Sequence, residues 1–329
     1  MKSLNKLIGN TPMVRIDYVF DGEKRSIYTK LEYYNLTGSI KDRVAYYIIK
    51  NAKERGILKD NMPIVEATSG NTGISLAALG SYYNHQVYIY MPDWASKERV
   101  SLMKGFGAKV ILISKEVGGF IKCVEEAEKK AKEINRFLAN QFANKDNYLA
   151  HYETTGGEII QQLPEKVYAF VSGVGTGGTL MGIGKRLREE FDDFQIVALE
   201  PDKMPIISKG EKIANHKIEG IGDDFVPDLL DRNAIDDIEL VNDEDAINMS
   251  RKLAKELGLG VGISSGANII ASALWQNKFN KPVVTVFADD NKKYLSTELT
   301  GEIENNKEFI SNQIKLLGYE EVKQIYALD

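Results

Sequence analysis

The chain has 329 residues, a formal net charge of −5 and a pI near 5.5, and this acidic balance argues against a nucleic-acid-binding surface. Hydrophobic residues make up 43% and charged residues 27% of the chain, and no apolar run is long enough to span a bilayer. The single cysteine, Cys123, excludes an internal disulfide and a cysteine-based zinc site. Because the N-terminus lacks the apolar segment of a secretory signal, we expect a cytoplasmic protein that does not bind membranes.

The first half of the chain alternates short apolar runs with longer amphipathic runs. Turns are predicted at residues 9–12 and at Asp21-Gly22, which two apolar runs flank in the manner of a hairpin. Strands are predicted at 26–31, 63–67, 86–91 and 109–113. Helices are predicted at 44–55, 74–83, 97–105 and 119–135. This alternation predicts βαβ units and a parallel sheet.

The second half of the chain repeats the pattern. Strands are predicted at 167–172, 195–200 and 282–288, and helices at 153–163, 180–190, 243–257 and 266–275. We therefore expect an α/β fold with two doubly wound sheets and a site in the cleft between them. After Leu299, apolar residues recur at roughly helical spacing, which predicts a helical tail docked on the body or on a partner subunit.

Four short motifs carry candidate chemistry. The first surrounds Lys41, at a strand-to-helix junction where α/β folds often place functional groups. By itself, Lys41 could equally be a solvated surface residue. The other three motifs are turns that contain glycine, at residues 68–73, 173–179 and 262–266.

The glycines of the third motif follow a predicted strand and open a predicted helix. Backbone N–H groups and a helix N-terminus at such a place favour a phosphate. The same stretch could hold a nucleotide pyrophosphate, with Glu200 as the acidic residue of a dinucleotide site. The motif alone leaves both alternatives open.

Taken in order, and together with residues 8–12, the four motifs resemble those of the cysteine synthase and cystathionine β-synthase family. These are fold type II enzymes that depend on pyridoxal phosphate (PLP), and the resemblance covers roughly residues 4–297. It implies a smaller α/β domain at 42–145 and a larger one built from 1–41 and 146–329, which includes the helical tail. It also implies a homodimer. Relatives with a haem-binding extension or a regulatory domain are longer, so we expect neither haem nor a regulatory ligand of that type.

The resemblance assigns PLP-binding roles residue by residue. Lys41 matches the lysine of Ser-x-Lys-Asp-Arg, which holds PLP as a Schiff base and, once freed, removes the α-proton as a general base. Ser264 matches the residue that meets the pyridine nitrogen, and Asn71 matches the one that bonds the ring hydroxyl. The phosphate cradle is expected to consist of Gly175, Thr176, Gly177, Gly178 and Thr179.

A second set of residues is expected to bind the carboxylate of a small amino-acid substrate. It consists of Thr68, Ser69, Asn71, Thr72 and Gln141. Hydroxyls and N–H groups on a strand-to-helix turn suit a carboxylate. The alternative for these residues is turn capping, and for Ser264 and Ser265 it is helix capping.

The loop around Asp223 departs from both branches of the family. Plain cysteine synthases usually carry Ala-Gly where this chain has Asp223-Asp224, and cystathionine synthases usually carry Tyr-Asp. Two adjacent acids on this loop could simply be solvated. Near the β-carbon of a substrate, however, Asp223 would repel hydrosulfide and could act as a general base on water.

The predicted function is a PLP-dependent β-replacement that converts L-cysteine and water to L-serine and hydrogen sulfide through an aminoacrylate intermediate. Cysteine synthase, using O-acetylserine and sulfide, is the alternative, followed by cystathionine β-synthase. From a different class, a catalytically silent nucleotide-binding regulatory protein remains open. The three histidines form no cluster in the sequence, so no metal site is expected.

Overall fold

The strands of the computed structural model, which describes residues 4, 6–133 and 136–322, form two sheets. In chain order the strands are β1 (Met13–Phe20), β2 (Glu23–Leu31), β3 (Ile64–Ala67), β4 (Val87–Pro92), β5 (Lys109–Ile113), β6 (Phe137–Leu138), β7 (Ala169–Gly173), β8 (Gln195–Pro201), β9 (Asp237–Val241), β10 (Val283–Phe287) and β11 (Lys315–Glu321). The smaller sheet is parallel throughout, in the order β5-β4-β3-β6. The larger sheet has the order β11-β1-β2-β10-β7-β8-β9 and is parallel from β2 to β9.

Helices connect most of the parallel strands. They are α1 (Lys41–Glu54), α2 (Asn71–Tyr82), α3 (Lys97–Gly105), α4 (Gly119–Glu133), α5 (Lys145–Ala150), α6 (Gly156–Gln162), α7 (Gly178–Glu190), α8 (Asp243–Leu257), α9 (Ile263–Phe279) and α10 (Ile310–Gln313). Among the described residues, no helix combines the length and the apolar character that a membrane crossing requires.

Both faces of each sheet are covered. In the larger sheet, Ala169 and Val171 of β7 pack with side chains of α8 and α9, whereas Phe170 packs with side chains of α7. In the smaller sheet, Ile64 of β3 joins a core with α1 and α2, and Val65 joins one with α4. Successive side chains of a strand point to opposite faces, so both sheets are doubly wound, as predicted.

The hairpin predicted at Asp21-Gly22 is confirmed. Phe20 pairs with Glu23 across the turn, and Asp21 and Gly22 have φ angles of 53° and 78°. Two successive residues in the left-handed region make the tight turn that matches the twist of antiparallel strands.

The predicted helical tail is wrong for most of its length. Residues 310–313 form a single helical turn, and β11 follows, pairing antiparallel with β1. Ile314 and Leu316 are buried while Leu317 is exposed, which is the two-residue period of a strand rather than a helix. Residues 323–329 of this tail lie outside the described residues, as do 134–135 of the predicted helix at 119–135 and residues 1–3 and 5 of the larger predicted domain. The domain boundaries stay a prediction.

Two other segments differ from expectation. The helix predicted at 153–163 is a continuous run of α5, a π-helical turn at His151–Thr155 and α6, so helical structure begins eight residues earlier, at Lys145. Strand β9, with the sequence Asp-Ile-Glu-Leu-Val, was not predicted. It lies at the edge of the larger sheet, where alternating polar residues weaken the apolar signal of a buried strand.

A buried cluster of charges connects β2 to α1 and α6. Arg43 donates from Nε to Glu32 Oε2 at 2.7 Å and from Nη1 to Glu158 Oε1 at 2.6 Å. Lys30 Nζ lies 2.8 Å from Glu158 Oε2 and donates to the carbonyl oxygen of Thr11. Two cations and two carboxylates therefore neutralise one another directly behind the start of α1.

Replacing Glu32 with alanine leaves Arg43 without one of its two buried partners. We expect the free energy of unfolding to fall by about 3–5 kcal/mol, the usual cost of breaking a buried ion pair from one side. Denaturant titration measures this change. Glu302→Ala is the matched control, because Glu302 pairs with Lys255 at the surface and should leave the transition unchanged. Equal stability of the two variants would contradict a stabilising role for the cluster.

Candidate active site

A cavity of about 720 Å³ lies at the carboxyl ends of strands from both sheets. Residues that follow β3, β4, β7 and β10 line it, which is where open α/β sheets bind ligands. The sequence-predicted residues along its wall are Lys41, Thr68, Ser69, Asn71, Thr72, Gln141, Gly175, Thr176, Gly177, Thr179, Asp223 and Ser264. Gly178 lies next to this set, at the first position of α7.

Lys41 is the first residue of α1 and faces the cavity. Burial lowers the pKa of its amine to about 8, and the carboxylate of Asp223 partly opposes this shift. The next two residues hold the helix start in place. Asp42 accepts hydrogen bonds from the backbone N–H and the hydroxyl of Thr37, both at 2.6 Å, while Arg43 enters the charge cluster described above.

Asp223 is part-buried and lines the same cavity. Burial raises the pKa of its carboxyl to about 6, Lys41 lowers it, and Asp224 raises it further. Asp224 differs from its neighbour because it is exposed and forms an ion pair with Lys212 at 2.6 Å. The two adjacent acids therefore have different surroundings, and only Asp223 interacts electrostatically with Lys41.

The stretch 175–179 forms a tight turn of backbone at the start of α7. A Cβ atom on Gly175 would lie 2.4 Å from the carbonyl oxygen of Gly220, and one on Gly178 would lie 2.1 Å from Asn147 Oδ1. Gly177 has a φ of +81°, which an L side chain rarely adopts. The N-cap residue, Gly177, has no side chain to cap α7. The Gly178 N–H donates to the Thr176 hydroxyl in a long hydrogen bond of 3.4 Å, and the N-terminus of the helix favours an anion such as a phosphate.

Glu200, the acidic residue that a dinucleotide site would need, forms hydrogen bonds within the protein. It is buried, and its carboxylate accepts hydrogen bonds from the backbone N–H groups of Ile207 and Ser208, the latter at 2.9 Å. It does not line the 720 Å³ cavity, and the void that it shares with Gly175 measures only about 10 Å³. The geometry therefore disfavours the nucleotide alternative.

Thr72 and Gln141, far apart in the chain, meet at the start of α2. The Thr72 hydroxyl donates to Gln141 Oε1 at 2.5 Å, and Gln141 Nε2 donates to the carbonyl oxygen of Ala67 at 3.1 Å. Behind them, Glu66 accepts from the backbone N–H of Gln141 at 3.0 Å. Burial raises the pKa of Glu66 to about 8. Glu66 was missed because a single acid within an apolar strand carries no motif.

Asn71 is oriented by a carboxylate that the motifs do not include. Its Nδ2 donates to Asp289 Oδ2 at 2.7 Å, and the same oxygen accepts from the hydroxyl of Tyr294. Asn71 Oδ1 is buried without a hydrogen-bond partner among the described residues. Asp289 comes two residues after β10, so its place at the carboxyl end of a parallel strand is the signal that could have identified it.

Ser264 is the second residue of α9, and it is buried against the cavity. The N-cap of this helix is Gly262, and no side-chain capping bond is formed there. The helix-cap alternative for Ser264 and Ser265 is therefore not observed.

His151 lies beneath the cradle rather than in a metal site. Its Nδ1 lies 3.1 Å from the Thr155 hydroxyl, and its Nε2 lies 3.2 Å from the Thr179 hydroxyl. Burial lowers its pKa well below the usual range, so the ring is neutral. Across residues 4, 6–133 and 136–322, no group of three histidine, cysteine or acidic residues could hold a metal ion.

These features fit a flat, phosphorylated aromatic aldehyde such as PLP. Lys41 lines the cavity, and the glycine turn lines it at the N-terminus of α7, where a phosphate is favoured. This turn packs so closely that a Cβ atom on Gly175 or Gly178 would collide with neighbouring protein atoms. Asn71 Oδ1 is a buried polar atom without a hydrogen-bond partner among the described residues. The cavity also leaves space for a small substrate beyond such a group.

Comparison with known proteins agrees with this fit. Residues 4–289 match the family described as pyridoxal-phosphate dependent enzyme. A cysteine synthase of Staphylococcus aureus is 41% identical over 304 residues, which cover 90% of this chain and 96% of that protein. Among solved structures, a cysteine synthase of Entamoeba histolytica is 36% identical with a TM-score of 0.87, covering 95% of this chain and 94% of that one.

A hydrogen sulfide-producing enzyme of Fusobacterium nucleatum is more similar still. It is 49% identical with a TM-score of 0.94, and the match covers 98% of both chains. An aspartate-to-asparagine variant of that enzyme has been solved in complex with an α-aminoacrylate intermediate, with the same identity and TM-score. The chain therefore belongs to the pyridoxal-phosphate dependent enzymes, within their cysteine synthase and cystathionine β-synthase group, and its cofactor is PLP.

Proposed function

We propose that the protein converts L-cysteine and water to L-serine and hydrogen sulfide by β-replacement. The observation that carries this proposal is Asp223, a carboxylate that shares the cavity with Lys41 and has a pKa raised to about 6. A base with a pKa near the working pH suits proton transfer from a neutral nucleophile.

Lys41 would hold PLP covalently, with the phosphate against residues 175–179, the ring hydroxyl against Asn71 and the pyridine nitrogen against Ser264. When bound, PLP acidifies the α-proton of an amino acid and stabilises the charge left at the α-carbon. The substrate carboxylate would be held by Thr68, Ser69, Asn71, Thr72 and Gln141.

Lys41 is suited to take the α-proton once its amine is free. Because burial lowers its pKa to about 8, a useful fraction of the amine is neutral near pH 7. Proton removal at the α-carbon allows the C–S bond at the β-carbon to break, and the sulfur leaves as hydrosulfide, which takes a proton from solvent to give hydrogen sulfide. Only the charge-neutral amine can accept the proton, so the same desolvation that lowers the pKa supports the step.

Asp223 would then act on water. As a water oxygen bonds to the β-carbon, Asp223 would accept one proton of that water and later release it to solvent. Lys41 would return its proton to the α-carbon, and the product is serine. A carboxylate at this place repels hydrosulfide, which disfavours the reverse attack by sulfide. The hydrogen sulfide-producing relative from F. nucleatum supports this direction, as does the fact that its aspartate-to-asparagine variant holds an α-aminoacrylate.

Cysteine synthesis from O-acetylserine and sulfide is the second candidate, because relatives at 41% identity are named cysteine synthases. Cystathionine synthesis comes third. A homodimer and a cytoplasmic location are part of the same proposal.

Lys41→Ala should remove the covalent anchor and the general base together. We expect sulfide release from L-cysteine to fall by about 10³-fold or more and the visible absorbance of the bound cofactor to be lost. Lys50→Ala, on the exposed side of the same helix, is the matched control and should keep both. Retention of covalent cofactor in Lys41→Ala would contradict the assignment.

Asp223→Asn should suppress the capture of water selectively. We expect serine formation to fall by about 10²-fold, while sulfide continues to form in the first turnover, because the α-proton is removed by Lys41. Separate assays of serine, pyruvate and sulfide measure this. Asp224→Asn is the control from the same loop, since Asp224 pairs with Lys212. Serine formation at the wild-type rate in Asp223→Asn would exclude Asp223 as the base.

The product ratio should also depend on pH. Only ionised Asp223 can accept a proton, and its pKa is raised to about 6, so serine relative to pyruvate should fall as the pH drops below 6 and stay level above it. Using the ratio cancels the titration of Lys41, which affects both products. The dependence should vanish in Asp223→Asn. A ratio that stays level down to pH 4.5 would contradict the proposal.

A further inference from the structure

Arg99 is a buried arginine of α3 that belongs to none of the motifs, and it is only 2% exposed. Its Nη1 donates to the carbonyl oxygen of Ser69 at 3.0 Å and to Glu219 Oε2 at 2.9 Å. Its Nε donates to the hydroxyl of Ser96 at 2.8 Å. One guanidinium therefore contacts both the predicted carboxylate-binding turn and the segment that leads to Asp223.

On the side of the turn, Arg99 is closely packed. A Cβ atom on Gly70 would lie 2.7 Å from Arg99 Cδ, so the backbone of the turn approaches the arginine as only glycine permits. The guanidinium also lies 5.3 Å from the centre of the Tyr294 ring, and the Tyr294 hydroxyl donates to Asp289. Asp289 in turn accepts from Asn71. Arg99 thus supports the turn and, through Tyr294, the group that orients Asn71.

On the side of the loop, Glu219 is the first residue of 219–224. Gly220 and Gly222 have φ angles of +88° and +72°, so this loop contains two residues of high conformational freedom. The backbone of Gly222 is held by the carbonyl oxygen of Val174 at 2.9 Å. Of the loop's acidic side chains, Asp224 pairs with the exposed Lys212, whereas Glu219 pairs with the buried Arg99.

The buried positive charge of Arg99 is compensated by Glu219. Arg99 Nη2 is buried without a hydrogen-bond partner among the described residues, and Glu219 is the acid in ion-pair contact with the guanidinium. A buried guanidinium that loses its carboxylate is costly, and this pairing therefore constrains where Glu219 can lie.

We propose that Arg99 and Glu219 are positioning residues that hold the loop carrying Asp223 at a fixed place relative to the carboxylate-binding turn. Their ion pair then decides how often water is captured at the β-carbon before the unsaturated product is released and hydrolysed to pyruvate and ammonia. This inference rests on the proposed function, because it assumes that Asp223 acts on water.

The test uses the PLP-loaded enzyme with Glu219→Ala and Glu219→Gln. Backbone hydrogen exchange across 219–224, measured without substrate, should accelerate about tenfold in Glu219→Ala, since local anchoring sets local opening. The ratio of serine to pyruvate formed from L-cysteine should fall about tenfold, because small displacements of a reacting group reduce its rate steeply. Sulfide release should stay within about threefold, as Lys41 is untouched. Glu219→Gln keeps a hydrogen-bond acceptor for Arg99 but lacks the carboxylate charge, so both readouts should lie between those of Glu219→Ala and those of the wild type.

Glu239→Ala is the control, because Glu239, like Glu219, pairs with one basic side chain (Lys278), but it lies on β9 and does not line the cavity. It should leave both readouts unchanged. Faster exchange in the loop with an unchanged product ratio would overturn the proposal, as would a parallel loss of sulfide, serine and thermal stability. If the wild-type enzyme forms no serine at all, the proposed function fails, and the exchange measurement alone then decides whether Glu219 anchors the loop.

Discussion

The site depends on the burial of two oppositely charged side chains, Lys41 and Asp223, along one cavity. Lys41 and Asp223 are separated by 182 positions in the sequence, yet each alters the pKa of the other. Burial lowers the pKa of Lys41 to about 8 and raises the pKa of Asp223 to about 6, so both pKa values lie close to pH 7. Groups poised in this way can exchange protons with a substrate near physiological pH.

Other charged side chains hold the segments that carry Lys41 and Asp223. Behind Lys41, the residues Asp42 and Arg43 are anchored by Thr37 and by the buried carboxylates, so the lysine is the only member of its triplet that lines the cavity. On the opposite wall, Arg99 connects the turn at 68–72 with the loop at 219–224. Arg43 and Arg99 are almost fully buried, and a buried guanidinium without a carboxylate partner is costly. Their carboxylate partners are therefore required for the stability of the structure.

Sequence patterns predicted most of the parallel strands and the motif-bearing turns, because buried β-branched runs and glycine turns have strong local signals. The two-residue strand β6 and the edge strand β9 were not predicted. Sequence patterns also placed Lys41 at a helix start, where the structure has the first residue of α1. They failed where a contact between distant segments decides the outcome. Strand β11 forms because β1 offers an open edge. Glu66 lies on β3, Arg99 on α3 and Asp289 just after β10, so the fold rather than the local sequence brings them to the site. Glu66 and Arg99 have no local pattern that separates them from an ordinary buried or surface charge, whereas Asp289 directly follows a predicted strand.

The most direct test of the account is to give the purified enzyme L-cysteine as sole substrate in water enriched in ¹⁸O. The account predicts hydrogen sulfide and L-serine in equal amounts, with ¹⁸O in the serine hydroxyl, since water supplies that oxygen. Sulfide accompanied only by pyruvate, or no turnover until O-acetylserine and sulfide are supplied, would contradict it. Either result would make Asp223 a residue of the loop and not of the reaction.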